Sequence, residues 1–181
     1  EDTNVRVVLV VDGSESMQFK TGALSKFDYA RTVAAAVAML VLKQNDSAGV
    51  TVFDSGIRSQ IPASSRRNHL QTIMTGLEVQ TAGGKTDLFG VLRNVNKSLV
   101  RRSIVVLISD LFCPREELFK GLTMLRQRGH EVIAMQRALD RLVGLTCMLH
   151  VDFIQAAFDL DNILRMAFDV GGLAREAARR L

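Results

Sequence analysis

Three side chains that carry oxygen atoms follow an apolar segment at alternate positions. The segment covers residues 5–11 (VRVVLVV), and Asp12, Ser14 and Ser16 come directly after it. Alternate residues of an extended loop point the same way, so the three side chains can present oxygens to one point while Gly13 permits the turn. Ser and Asp are also common turn residues after strands, so this pattern alone leaves a functional cluster and a plain turn as open alternatives.

Two further loops carry residues of the same kind. Asp110 follows the apolar segment 103–109 (SIVVLIS), and Thr86 lies in the loop 83–87, which begins with two glycines. In open α/β sheets, binding sites form beyond the carboxyl ends of the strands, near the point where the strand order reverses. If the sheet has the common order 3-2-1-4-5-6, the strands that end at Asp12 and Asp110 are neighbours and both acids face one crevice.

The elements that must position these loops alternate between strand and helix along the chain. Apolar, β-branched segments predict strands at residues 5–11, 48–53, 57–61, 103–109, 131–136 and 148–153. Apolar periodicity, a capping box at Ser25 and Asp28, and Pro114 predict helices at about 25–44, 66–78, 88–100, 114–126 and 162–180. The three-residue link before 57–61 predicts a hairpin and hence an antiparallel edge strand. We therefore expect an α/β fold with a mainly parallel six-stranded sheet, one short antiparallel edge strand and helices on both faces.

The composition is that of one compact domain. Of the 181 residues, 48% are hydrophobic and 23% are charged. The net charge is only +4 and the basic pairs 66–67, 101–102 and 179–180 are scattered, so we expect no nucleic-acid surface. Cys113 and Cys147 lack metal-ligand spacing, which favours reduced thiols in the cytoplasm. No apolar run approaches the roughly 20 residues of a membrane span, so we expect none in this segment.

The three loops together match a known motif. The pattern D-x-S-x-S, then a Thr in a Gly-rich loop, then an Asp after a central strand, resembles the metal-ion-dependent adhesion site of von Willebrand factor A-type (vWA) domains. Asp12, Ser14, Ser16, Thr86 and Asp110 match it at every position and in the family's order.

The wider sequence is similar to the vWA part of the domain-of-unknown-function 58 family. The matching pieces are FDYARTVAAAVAML, NDSAGVTVF, the Arg-Arg before SIVVLISD, and RGHEVIAMQ, within about residues 5–136. The resemblance implies a Rossmann-like vWA fold, with residues 1–181 as a single domain. Because the chain begins with Glu1 and lacks the region that precedes the vWA domain in that group, we expect it to be a fragment of a longer chain.

The resemblance implies a function in which metal and partner are linked. The five matched side chains would hold a divalent cation, Mg²⁺ first and Mn²⁺ or Ca²⁺ as alternatives, and leave at least one coordination position open. Because only two of the five ligands are carboxylates, the cation stays electrophilic and should attract an Asp or Glu carboxylate from a partner protein. Family analogy points further to a MoxR-type AAA+ ATPase as the partner, in cytoplasmic complex assembly.

Enzymatic alternatives lack the residues that they need. The segment AGGKT resembles the end of a phosphate-binding loop, but Val79 stands where that motif requires glycine. A haloacid-dehalogenase-type phosphatase needs a second Asp two residues after Asp12, and Ser14 is there. We therefore predict no enzyme, with a Mg²⁺-dependent phosphatase-like activity as the alternative and a plain structural domain as the third possibility.

Three nearby residues leave two interpretations each. Glu15 and Asp87 are either acceptors that support the metal ligands or exposed loop carboxylates, with the second favoured. Cys113 lies just after the second site aspartate and is either a reactive thiol or a partly buried, inert one, again with the second favoured.

Overall fold

The computed structural model describes residues 4–21, 24–136 and 147–149. The strands are β1 (Arg6–Asp12), β2 (Lys20–Thr21), β3 (Leu24–Ser25), β4 (Ser47–Phe53), β5 (Ile57–Ser64), β6 (Ile104–Ser109), β7 (Glu131–Gln136) and β8 (Cys147–Leu149). The helices are a short 3-10 helix (Glu15–Gln18), α1 (Lys26–Lys43), α2 (His69–Glu78), α3 (Leu88–Ser98) and α4 (Arg115–Gln127). Among these residues, no helix is both long and apolar enough to cross a membrane. The helix predicted at 162–180 lies outside the described residues.

The main sheet has the common strand order on which the neighbouring positions of the two acids depended. Within the described residues, six strands form one sheet in the order β5-β4-β1-β6-β7-β8, which is 3-2-1-4-5-6 once the small β2–β3 ribbon is left out. β1 pairs in parallel with β4 and β6, and β6 pairs in parallel with β7. The carboxyl ends of these strands therefore meet at one edge, with β1 and β6 side by side, as the motif requires.

Both outer strands of the sheet run antiparallel, whereas the sequence predicted one short antiparallel edge. β5 pairs antiparallel with β4 as expected, although it extends to Ser64, and β8 pairs antiparallel with β7. The physical reason for the second antiparallel edge is the connection, residues 137–146. A parallel return usually needs a crossover of a dozen or more residues, and this segment is shorter.

The sheet is buried on both faces. Along β1, Val7, Leu9 and Val11 pack on one side with α1 and α2, whereas Val8 and Val10 pack on the other with α3 and α4. This alternation explains why β1 is a continuous apolar run rather than an alternating one, since each face must be covered. Helices on both faces were predicted, and the structure confirms them.

Helix α1 begins where the sequence predicted. Ser25 Oγ accepts a hydrogen bond from the backbone N–H of Asp28 at 3.0 Å, and the Asp28 carboxylate accepts from the backbone N–H of Ser25 at 3.0 Å. This reciprocal capping box stabilises the first turn. It also fixes Lys26, the first residue of the helix, at the edge of the sheet that carries the site.

Candidate metal centre

The Asp12 carboxylate is fixed at the end of β1 by two hydrogen bonds. Its Oδ1 accepts from the backbone N–H of Ser14 at 2.9 Å, and its Oδ2 accepts from Ser109 Oγ at 2.5 Å. Only 1% of Asp12 is exposed. Burial raises the pKa of this carboxyl, as does the charge of Asp110, although the bonds from Ser109 and Ser14 lower it. A buried carboxylate of this kind gains stability from a cation beside it.

Hydroxyl groups connect the first loop to Asp110. Ser14 Oγ lies 3.2 Å from Ser16 Oγ, and Ser16 Oγ donates to Asp110 Oδ1 at 3.2 Å. The same Oδ1 accepts from the backbone N–H of Phe112 at 3.2 Å. Four of the five predicted ligands therefore form one continuous hydrogen-bonded group: Asp12, Ser14, Ser16 and Asp110. Asp12 is joined to the group through the backbone N–H of Ser14.

The spacing of these oxygens fits a small, hard cation. Hydroxyl hydrogen bonds usually measure about 2.5–3.0 Å. Neighbouring oxygens of an octahedron around Mg²⁺ stand about 3.0 Å apart, because each Mg–O distance is about 2.1 Å. The two separations of 3.2 Å lie slightly above both of these values, so the spacing is compatible with a bound cation as well as with hydrogen bonds. The donor set, carboxylates and neutral hydroxyls, is also one that hard cations prefer.

The loop that carries Thr86 is held against the first loop by its glycines. The backbone N–H of Gly83 donates to the carbonyl of Gly13 at 2.7 Å, and the backbone N–H of Glu15 donates to the carbonyl of Gly84 at 2.9 Å. Thr86 is half-buried two residues further on. The structure thus brings the fifth predicted ligand to this region through its backbone neighbours, while the other four are joined by direct bonds.

Asp54 holds the same loop from the end of β4. Its backbone carbonyl accepts from the N–H of Asp87 at 3.1 Å. A Cβ on Gly84, where φ is +87°, would stand 2.9 Å from Asp54 Oδ2. Only glycine suits this position, because it needs both the left-handed conformation and the space. Sequence reasoning missed Asp54, although its place directly after a buried strand was an available signal.

The two loop carboxylates with open interpretations have different roles. Asp87 Oδ1 accepts from the backbone N–H of Gly90 at 2.8 Å and caps α3, so this exposed carboxylate orders the helix that follows the Thr86 loop. Glu15 is exposed at the start of the 3-10 helix. Both agree with the favoured interpretation of exposed carboxylates.

A lysine that the sequence did not indicate extends the group beyond Asp110. Lys26 Nζ donates to Asp110 Oδ2 at 2.7 Å, and the two side chains are only 15% and 6% exposed. A cation at the amino end of a helix opposes the helix dipole, so this position alone does not favour lysine. The negative charge of Asp110 offsets this unfavourable interaction of Lys26 with the helix dipole. One oxygen of the Asp110 carboxylate accepts from Lys26 and the other accepts from Ser16.

Comparison with known proteins places the chain in a family. The family model described as "Protein of unknown function DUF58" matches residues 1–142. The chain belongs to the DUF58 family. The uncharacterized protein Rv1480 of Mycobacterium tuberculosis is 28% identical to it over 138 residues, which are 75% of this chain and 43% of that protein. This DUF58 chain thus spans less than half the length of the curated relatives that it matches.

Solved structures share the fold of this DUF58 domain. An aerotolerance-related membrane protein from Bacteroides fragilis matches with a TM-score of 0.62 at 18% identity, over 73% of this chain and 67% of that one. The manganese-loaded TRAP protein from Plasmodium vivax matches with a TM-score of 0.58 at 16% identity, over 75% of this chain and 57% of that one. Such low identities show the fold alone. With the family match, they confirm the predicted Rossmann-like vWA fold.

An open groove of the DUF58 domain runs beside the hydrogen-bonded group. Its lining combines charged, polar and aromatic side chains: Glu15, Ser16, Gln18, Phe19, Lys26, Asp110 and Phe112. Two of the predicted ligands, Ser16 and Asp110, therefore face a surface that a second molecule can reach.

The described histidines of the DUF58 domain do not reach this group. His69 Nε2 bonds to the backbone carbonyl of Ala48 at 2.9 Å. His130 is buried just before β7, at the opposite end of the parallel strands, where burial and the charge of Arg128 lower its pKa. His150 lies outside the described residues. Among the described residues, no histidine is therefore placed to activate a hydroxyl nucleophile.

The thiol of Cys113 fits the inert interpretation. Burial raises its pKa, and the negative charges of Asp12, Glu117 and Asp110 raise it further. The thiol therefore stays protonated near neutral pH, and a protonated thiol is a weak nucleophile.

Proposed function

We propose that this DUF58 domain holds a divalent cation with Asp12, Ser14, Ser16, Thr86 and Asp110, and that it binds an Asp or Glu carboxylate of a partner protein through that cation. Mg²⁺ is the first choice, with Mn²⁺ and Ca²⁺ as alternatives. The observation that carries the proposal is the hydrogen-bonded group of carboxylate and hydroxyl oxygens at the carboxyl ends of β1 and β6, a donor set that hard cations prefer.

The charges of the group favour an added carboxylate. Only Asp12 and Asp110 among the proposed ligands are anionic, and Lys26 already neutralises part of the charge on Asp110. A divalent cation held there would keep net positive charge, which an anionic ligand from outside would offset. The TRAP protein, which has a similar fold, is manganese-loaded, and this supports the proposal of a divalent cation.

The geometry does not favour the phosphatase alternative. Both oxygens of the Asp12 carboxylate accept hydrogen bonds, and the residue is 1% exposed, so it is poorly placed to attack a phosphate ester. We therefore propose a binding domain rather than an enzyme. The family resemblance leads us to propose a MoxR-type AAA+ ATPase as the partner and the cytoplasm as the location.

Calorimetric titration of the metal-free chain with Mg²⁺, Mn²⁺ and Ca²⁺ tests the metal site. We expect one saturable site whose affinity falls at least about tenfold in both variants, since Asp110→Asn loses the negative charge of a ligand and Thr86→Val loses a hydroxyl ligand, while both nearly keep the shape of the side chain. Glu131→Gln is the matched control, because this exposed carboxylate begins β7 at the opposite edge of the sheet. Wild-type affinity in Asp110→Asn would contradict the proposal.

Binding of the partner is measured separately. A purified MoxR-type ATPase from the same organism should bind the wild-type chain in the presence of the metal, and both EDTA and Thr86→Val should abolish the binding. Because a partner carboxylate would complete the site, the metal titrations are repeated in excess acetate, which should raise the affinity of the wild-type chain. Partner binding that persists in EDTA would exclude a metal bridge.

A further inference from the structure

Two exposed phenylalanines line the groove beside the proposed metal ligands. Phe19 is 61% exposed and Phe112 is 83% exposed, whereas Phe27 and Phe53 are almost completely buried. Large aromatic side chains that stay in contact with water contribute little to folding, and several of them at one groove are typical of an interaction surface.

The backbone holds Phe112 away from the core. Leu111 has a φ of +54°, a conformation that is unfavourable for a residue with a Cβ. The backbone N–H of Cys113 donates to the carbonyl of Leu111 at 2.8 Å, which makes a tight turn with Phe112 at its centre. The backbone N–H of Phe112 donates to Asp110 Oδ1 at 3.2 Å, so the backbone that carries the exposed ring is held next to a proposed ligand.

Phe19 is fixed on the other loop of the groove. Its carbonyl accepts from the backbone N–H of Lys26 at 3.0 Å, and Lys26 Nζ lies 5.9 Å from the centre of its ring. The ion pair of Lys26 with Asp110 then joins the loop of Phe19 to the loop of Phe112. The two apolar contact points therefore belong to one continuous surface whose centre is polar.

The charges of this surface select an acidic occupant only when a metal is present. Asp12 and Asp110 stand against Lys26, which gives these three groups a net charge of −1 by formal count, and the exposed Glu15 adds a further negative charge on the lining of the groove, so the metal-free surface repels a carboxylate. A divalent cation would bring the first three groups to a net charge of +1, and it has a coordination position for an outside oxygen.

We infer that the groove binds a segment of a partner protein in which an Asp or Glu stands between bulky apolar residues. The carboxylate meets the cation, and the apolar neighbours contact Phe19 and Phe112. This inference rests on the proposed function. It adds that apolar contacts with the two phenylalanine rings distinguish one acidic segment from others.

Three fluorescent peptides test the inference with the 181-residue chain. They are Gly-Ser-Leu-Asp-Phe-Ser-Gly, Gly-Ser-Ser-Asp-Ser-Ser-Gly and Gly-Ser-Leu-Asn-Phe-Ser-Gly, and their binding is followed by anisotropy with Mn²⁺ and with EDTA. We expect the first to bind about tenfold more tightly than the second, as partial burial of an aromatic ring predicts. The third peptide, and all three in EDTA, should bind far more weakly than the first with Mn²⁺.

Surface variants test whether Phe19 and Phe112 cause the preference for the first peptide over the second. The double variant Phe19→Ser, Phe112→Ser should bind the first and second peptides equally well and should keep the Mn²⁺ affinity of the wild-type chain. Val100→Ser is the matched control, because this side chain is 87% exposed and precedes β6 at the opposite edge of the sheet. It should leave the tenfold preference unchanged.

The outcomes separate the inference from the proposed function. Equal, Mn²⁺-dependent binding of the first two peptides, or Mn²⁺ binding without any peptide binding, would overturn the inference and leave the metal site intact. Binding of the first peptide that persists in EDTA would show an apolar groove without carboxylate recognition, which also overturns it. Absence of Mn²⁺ binding by calorimetry would overturn the proposed function, and the inference with it.

Discussion

Replacement of Lys26 by methionine should strengthen metal binding. Lys26 Nζ lies 2.7 Å from Asp110 Oδ2, so a cation bound to the same carboxylate would stand about 5 Å from the ammonium group. The repulsion between charges of +2 and +1 at that distance is about 1.7 kcal/mol even at the dielectric constant of water. Its removal corresponds to at least about a tenfold gain in affinity, since each 1.4 kcal/mol is a factor of ten.

The same change should destabilise the metal-free protein. Lys26 and Asp110 are largely buried, and the change removes the ion pair between them, at a cost of about 1–3 kcal/mol. The assay is Mn²⁺ calorimetry together with thermal unfolding in EDTA and in excess Mn²⁺. Lys26→Met should lower the Tm in EDTA and regain it with Mn²⁺.

Two control variants accompany Lys26→Met. Lys26→Arg keeps the charge and should bind Mn²⁺ like the wild-type chain. Lys97→Met removes a lysine from the last turn of α3 and should change neither measurement. Unchanged or weaker Mn²⁺ affinity in Lys26→Met would refute the view that the lysine competes with the metal for Asp110.

Three further outcomes are expected. Gly84→Ala should lower the free energy of unfolding by about 1 kcal/mol more than Gly129→Ala does, and of the two variants only Gly84→Ala should weaken metal binding. Both glycines have positive φ, but only at Gly84 would the added Cβ stand 2.9 Å from a carboxylate oxygen. Denaturant unfolding measures the first effect and calorimetry the second. Ser109→Ala should lower the free energy of unfolding by about 1–3 kcal/mol and weaken metal binding, since it removes the donor to the buried carboxylate of the first loop. Ser103→Ala is the control and should leave the metal affinity unchanged, because this hydroxyl bonds to a carbonyl at the opposite edge of the sheet. Burial lowers the pKa of His130, so the unfolded chain binds more protons than the folded chain once the pH falls below about 6.5, and stability should fall with it. Urea titrations of His130→Leu should lack that share of the pH dependence.

The sequence predicted the parts of this structure that depend on local pattern. The runs 7–11 and 104–108 are apolar without interruption because both faces of their strands are covered, and that pattern needs no knowledge of the partner strands. The capping box at Ser25 is likewise a signal within four residues. The strand order was only assumed as the common one for open α/β sheets, and the structure has that order.

The parts that could not be predicted depend on which loops meet in space. Lys26 is separated by 84 residues from the carboxylate that it contacts, and Ser109 by 97 from Asp12. A lysine at a helix start and a serine at a strand end are usually exposed or local in their bonding, so neither pattern indicated a role. The antiparallel direction of β8 depends on the short connection from β7, and the sequence pattern was not clear enough in that region to predict where the connection begins and ends.

The position of Lys26 should couple the binding of the metal to the binding of the partner. When the cation is bound alone, Lys26 and the cation repel each other across Asp110, which weakens the metal. A partner carboxylate adds a negative charge next to both, so it should raise the affinity for the metal by the same factor by which the metal raises the affinity for the partner. Lys26 would then make the domain a poor metal binder alone and a good one in the complex. This coupling should shrink in Lys26→Met, where the metal already binds tightly without the carboxylate.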